Sequence, residues 1–368
     1  MKKAKESTVK FKAFDISTQY TIEEKSEELL ILNTYNHQLF DFLFRNILKL
    51  NKEKRKFKND EVTLNLIEYK QSNHTHIMQG VFTTARHGEL KQTININTQE
   101  EIIEKEIQPV EGVKNEIRFT LDKRNGLILI QEDKTNHVIS RNILKSFIYQ
   151  HRKLVYPYID KINNKNKNSK FCISKRSFYS IASLPPVDFF EKLKEFKSIK
   201  SASLFINSSE RDNPIDVVAA LENELNENNL HDFNLEIKIK NKSPLGMVKT
   251  FKKYFEKISE LQKYDSYAIE GKTEAGSTKK ITPDSYTREF ESVVKRNGKG
   301  LFNEEQLIEA MQKVINSEDN PLLDSKNTFD SNLLLKGDDL EIVQKEAEEL
   351  IESANNNKEA EGQVELHS

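Results

Sequence analysis

Apolar and polar residues alternate along this chain with two different periods, and those periods predict its elements. Val9–Ile16 (VKFKAFDI) alternates with period two, as a strand with one buried face does. In His37–Leu50 the apolar residues Leu39, Phe40, Leu43, Phe44, Ile47 and Leu48 recur at three- and four-residue spacing, which predicts a helix with one apolar face. The lysine-rich stretch 49–58 reads as a solvated loop. Val62–Tyr69 and His76–Thr84 read as strands joined by the polar turn Gln71–Thr75. Segment 99–106 fits a short helix or an irregular connection. Ile117–Leu121 and Leu127–Gln131 make the clearest hairpin, because Asn125-Gly126 supplies the positive φ that a tight connection needs. Ser140 is placed to cap a helix over 141–153, with Ile143, Leu144, Phe147 and Ile148 facing inward.

Residues 163–170 (NNKNKNSK) are polar and aperiodic, and mark an expected boundary between two lobes. Beyond them strands and helices alternate. The pattern predicts strands at 170–174, 202–206, 234–239 and 264–270, and helices at 187–196, 214–226 and 244–261. Residues 279–286 are expected to pair back onto 264–270 through a glycine-containing turn at 275–277. Asn303, with Glu305 and Gln306 behind it, opens a helix to about 315, close to a capping box. After 316 the pattern weakens to an acidic, helix-compatible stretch at 341–353 and a polar tail, 355–368, expected to be disordered.

The expected fold class is therefore α+β. Residues 1–162 form a mainly antiparallel sheet lobe with one or two helices. Residues 163–315 form a β-α-β-α-β lobe with a basic face, and 316–368 an acidic linker and disordered tail.

Composition narrows the setting. Of 368 residues, 36% are hydrophobic and 31% charged, more polar than an average globular chain, but the apolar residues are clustered enough to build cores. The single cysteine, Cys172, allows no intramolecular disulfide and fits a reducing compartment. Met1–Lys10 lacks the apolar stretch of a signal peptide, and no apolar run approaches the roughly 18–20 residues a bilayer span needs. Even 39–50 is interrupted by Asp41, Arg45 and Asn46. The expected location is cytoplasmic, with no membrane contact. The abundance of Lys, Asn, Ile and Glu matches AT-rich codons and points to a bacterial or phage-type genome.

A net charge of −1 conceals strong segregation of sign. Residues 141–200 hold 14 Lys/Arg against 4 Asp/Glu, and 238–300 hold 15 against 8, whereas 338–368 hold 2 against 10. Such separation bears on partners rather than on fold.

No P-loop, GxGxxG, GxSxG, HExxH or CxxC pair is present, and one cysteine excludes a Cys-rich zinc site. Two carboxylate–lysine sets stand out. Asp232 precedes Glu236-Ile237-Lys238, and Asp265 precedes Glu270-Gly271-Lys272. On a strand, Glu and Lys two apart share a face, where carboxylates can hold Mg²⁺ and the Lys can steady a phosphate. The triplet resembles the PD-(D/E)xK nuclease signature, which implies a Mg²⁺-dependent nuclease; the spacing from the Asp is shorter than that family's. In a chain rich in Glu and Lys, chance also produces such triplets on solvated strands. His74 and His76 share a strand face with His87 further on, but a metal needs more partners than these. Thr83-Thr84-Ala85-Arg86-His87-Gly88 could meet an anion at a strand end.

The broadest signal is for nucleic acid. Arg141, Lys145, Arg152 and Lys153 lie on or beside one helix, with Lys175 and Arg176 following among Phe171, Phe178 and Tyr179. Lys279, Lys280, Arg288, Lys295, Arg296 and Lys299 surround Tyr286, Phe290, Gly298 and Gly300. Cations neutralise phosphates and aromatic rings stack on unpaired bases. Solvated charge runs and core aromatics would give the same pattern. The expected function is a non-catalytic DNA- or RNA-binding protein, needing no cofactor, of a bacterial mobile-element or antiphage-defence system. In that reading the acidic tail competes with nucleic acid for the basic face. The alternatives are the Mg²⁺ nuclease, or a protein-interaction module that docks a partner through the tail and the leucines at 322–323 and 333–335.

Overall fold

The computed structural model describes residues 6–23, 29–87, 93–94, 101–102, 111–166, 171–184, 196–207, 234–240, 266–273, 277–282, 287–296, 301–323 and 334–356. The fold is α+β. In chain order come strands β1 (Glu6–Glu23) and β2 (Leu29–Thr34), helices α1 (His37–Lys49) and α2 (Lys52–Arg55), and strands β3 (Lys56–Lys58), β4 (Val62–Gln71) and β5 (Ile77–Arg86). Two short strands, β6 (Thr93–Ile94) and β7 (Glu101–Ile102), pair only with each other. The hairpin β8 (Asn115–Asp122) and β9 (Leu127–Gln131) leads to α3 (Arg141–Gln150), a 3₁₀ turn (Arg152–Val155) and α4 (Tyr156–Lys165). Then follow β10 (Phe171–Cys172), β11 (Tyr179–Ser183), β12 (Phe196–Asn207), β13 (Asn234–Lys240), β14 (Ser266–Thr273), β15 (Thr278–Ile281), β16 (Glu289–Lys295), α5 (Glu304–Ile315) and α6 (Asp338–Asn356).

Ten of the described strands form one antiparallel sheet organised around β1. One edge of β1 pairs in turn with β16, β11 and β10, and the other with β9 and then β2. The sheet continues from β9 through β8, β5 and β4 to β3. Period-two alternation divides β1 between two cores. Phe14, Ile16 and Tyr20 face the larger one, with Leu39, Leu43 and Ile47 of α1, Phe147 of α3, Tyr158 of α4 and Val343, Ala347 and Ile351 of α6. Val9, Phe11 and Ala13 face the smaller, closed by Leu307, Met311 and Ile315 of α5.

Local chemistry fixes the joints. Asn36 caps α1, its side-chain oxygen accepting from the amides of Gln38 and Leu39, while its amide nitrogen donates to the hydroxyls of Tyr20 and Tyr158. Gly126 holds φ +81° in the hairpin turn, and a Cβ there would collide with the carbonyl of Ile16. Buried Asp122 pairs with Arg124 at 2.8 Å and accepts from Asn320 at 3.2 Å, which ties the turn to the end of α5. Arg118 of β8 reaches Glu304 at 2.7 Å at the start of α5.

Several expectations need amending. The stretch 49–58 is α2, capped by Asn51, followed by β3. The helix expected to end near 153 stops at Gln150, and α4 covers the start of the polar stretch at 163–170. Stretch 341–353 is the middle of α6, which docks on the large core and pairs Lys49–Glu348 at 2.7 Å and Lys161–Asp339 at 2.9 Å. Expected helices at 214–226 and 244–261, most of that at 187–196, and the tail beyond 356 lie outside the described residues. Among the described residues no helix is long and apolar enough to cross a membrane.

Candidate nucleic-acid interface

Strands β13, β12, β14 and β15 form a second, separate antiparallel sheet in that order. Opposed residues in such a ladder share a face. Ala202 stands between Ile239 and Ile269, and Ile269 opposes Ile281. Ile199, Ala202, Ile269 and Ile281 are buried, so this is the apolar face.

The other face is polar. Ser203 lies between Lys238 and Ala268, Ser201 between Lys240 and Glu270, and Ser198 opposite Lys272. Glu270 opposes Lys280, and Lys272 opposes Thr278. A bulge between Ile199 and Ser201 turns Lys200 onto the same side, where its ammonium donates to the Thr278 hydroxyl at 3.2 Å. Gly271 permits the close approach at this bulge, since a Cβ there would lie 2.6 Å from both the Phe196 ring and the Ser198 carbonyl. Glu236, two residues before Lys238, shares the face. Lys200, Lys238, Lys240, Lys272 and Lys280 are exposed, while Ser201 and Ser203 are sunk between them. Among the described residues five lysines and two glutamates thus share this face, and Lys238 Nζ lies 3.9 Å from Glu270 Oε2.

The sheet therefore brings together both Glu-x-Lys triplets and Lys280, three features far apart in sequence. It also adds Lys200, Lys240 and the serines, which the sequence analysis did not single out. Strand alternation could have exposed Lys240, but a bulge residue such as Lys200 breaks the period that would reveal it.

The other cations expected at an interface are spread over the molecule, and several serve the fold. Arg141 and Lys145 are buried, and Arg141 donates to the Ile181 carbonyl at 3.0 Å; these two face inward and leave the interface. Arg86 donates to the Asn136 carbonyl at 3.1 Å and lies 3.6 Å from Glu61. Arg152 sits 3.8 Å over the Tyr149 ring, and Lys175 pairs with Asp160 at 2.7 Å. Arg296 bonds Ser7 at 2.9 Å and covers the Phe302 ring. Arg288 is half-buried, which lowers its pKa. Lys153, Arg176 and Lys295 are exposed, and half-buried Lys279 is on the apolar side of β15. Lys299 lies outside the described residues.

Asp232 and Asp265 also lie outside them. The register puts Glu236 opposite Phe205 and Glu270 opposite Ser201 across β12, so their backbones stand roughly 16 Å apart and cannot share one ion. Among the described residues no group of three His, Cys, Asp or Glu is placed to hold a metal. The His74 and His76 rings lie 5.9 Å apart, but His87 is at the far end of β5, bonded to Thr63 at 2.6 Å. Thr83–His87 belongs to a local network in which Asn136 donates to Thr84, and Gly88 lies outside the described residues.

A scan of protein-family models finds no match to the chain, and a search of curated proteins finds none. The function is accordingly read from geometry.

Proposed function

We propose that the protein binds nucleic acid, without catalysis of its own, through the polar face of the β13-β12-β14-β15 sheet. One observation supports this reading. Five exposed lysines from four strands stand on one face, where the described residues place two glutamates. Lysines on rigid strands neutralise phosphates without ordering a loop. Helix α6, though acidic, is engaged with α1 and α4, so the competing role expected of the acidic segment does not extend to 338–356.

Binding to single-stranded and duplex nucleic acids across a salt series tests the proposal. If four or five phosphates are neutralised, log K falls against log salt with a slope of about −3 to −4. Replacing Lys238, Lys272 and Lys280 by Ala should flatten that slope by about 2. An affinity unmoved by salt, or by the triple replacement, rules the reading out.

A further inference from the structure

We infer that the free margin of β16 docks an extended, cation-bearing peptide of another protein as an added strand. This surface lies on the large sheet and is independent of the lysine face of the small one. In an antiparallel ladder alternate residues turn their backbone groups to opposite sides. The Ala13 amide donates to the Arg288 carbonyl at 3.0 Å, so Phe290, Ser292 and Val294 bond toward β1. Glu291, Val293 and Lys295 therefore turn their backbone groups outward. At Lys295 the protein fills that margin itself. The Lys295 amide donates to the Gln306 side chain at 3.0 Å, and its carbonyl accepts from the Asn303 amide at 2.8 Å. Arg296 and Phe302 form an antiparallel bridge beside them. The chain then turns away into α5. Among the described residues no strand or backbone group meets Glu291 and Val293 on their outward side.

The vacant row has a shape and a charge. Between the margin and α5 lies an open groove of about 280 Å³, lined by Ser292 and Val293 and by Gln306, Glu309, Ala310 and Lys313, which share one face of the helix. A strand running on from Phe302–Asn303, antiparallel to β16, would send alternate side chains into this groove. The side chains between them would stand on the opposite face, level with Val293, Glu291 and Glu289 in that order. Val293 is 63% exposed, a surface that an apolar residue would cover. Glu289 and Glu291 have Lys10 on their inner side, at 2.9 and 3.2 Å. A lysine on the incoming strand would repeat that pairing on their outer side. The sequence recognised, read from its N-terminal end, is thus apolar-x-cation-x-cation. A second copy of β16 fits poorly, because antiparallel pairing of residues 289–293 with themselves sets Glu291 against Glu291.

The test uses the full chain and fluorescence anisotropy with a labelled peptide, Gly-Val-Thr-Lys-Thr-Lys-Gly, and the same peptide with both lysines replaced by glutamate. The lysine peptide should bind about tenfold tighter, from two cross-strand ion pairs gained and two like-charge contacts avoided. Val293→Pro removes only an outward N–H, which an edge strand tolerates, and should abolish binding with the melting temperature held. Glu291→Lys should erase most of the preference for lysine. N-methylation of the peptide at the lysine level with Glu291 should abolish binding, and at the threonine before it should not, since alternate amides face β16. Binding by neither peptide, or equal binding of both, overturns the proposal. So does a Val293→Pro protein that melts like the parent and binds undiminished, or a Glu291→Lys protein that keeps the full preference. If sedimentation shows a dimer that Val293→Pro separates, the margin belongs to a second copy and the proposal fails.

Discussion

The two sheets put charge to different uses. In the large sheet α1, α3, α4 and α6 cover one side and α5 packs on part of the other, and several of its strand charges are paired within the protein. Lys10 lies 2.9 and 3.2 Å from Glu289 and Glu291, which hold its pKa above the usual lysine value. Arg118 meets Glu304 and Asp122 meets Arg124. In the small sheet one face is apolar, and on the other the described residues include five exposed lysines and two glutamates. A charged strand position therefore says little until its cross-strand partners are known. Where they are opposite in sign and close by, the charge serves the fold.

This contrast can be broken or sharpened by substitution. The largest effect belongs to the large sheet. Phe119, fully buried against Phe82, Phe44 and Tyr69, should cost about 3–5 kcal/mol as Phe119→Ala in chemical denaturation, with affinity per folded molecule unchanged. Next, Ile351→Ala should cost about 2 kcal/mol, because α6 belongs to the large core; no loss would make α6 an appendage.

Asp15 gives a pH signature. It retains a little solvent contact, but with Leu127 and Ala182 opposite, burial pushes its carboxyl up to about 7. The folded state then holds a proton that the unfolded state has released between about pH 4 and 7, so stability contributed by this group falls as pH rises through that window. Burial lowers the pKa of His37 and His151, which act in the opposite sense as pH falls below the ordinary histidine range. Asp15→Asn isolates the first effect. It should stabilise the protein by about 1 kcal/mol at pH 8 and by much less at pH 5, read from melts at both values. An equal gain at both would place the cause elsewhere. At the small end, Ala at Lys238, Lys272 and Lys280 together should change unfolding stability by no more than about 0.5 kcal/mol, separating binding from folding.

The elements with long, regular periods were legible. Helix α1, the β8–β9 hairpin, the Ser140 and Asn303 caps and strands β4, β5, β13 and β14 all fall close to where the pattern predicts them. Others were not, and three show why. In β16 only Phe290, Ser292 and Val294 turn inward, so its glutamates and Lys295 masked a strand. Helix α4 is short, and its Pro157 reads as an interruption although it sits in the first turn. Strand β2 runs into α1 through Asn36, and its pairing to β1 is a tertiary fact. The candidate site was half legible. The Glu-x-Lys triplets lie on β13 and β14, but nothing local shows that β12 lies between them. Arg141 and Lys145 misled because a cation folded inward looks, in sequence, like one facing solvent.

The architecture of β1 bears on how the polypeptide is made. Its first half is flanked by β16, a partner nearly three hundred positions downstream, with Glu6 matched to Lys295. At ordinary translation speeds of about 5–20 residues per second, that gap corresponds to roughly 15–60 s during which Val9 and Phe11 stand on an open hydrogen-bonding margin. A nascent chain of this design has to be shielded, or keep β1 unpaired, until its closing strand leaves the ribosome.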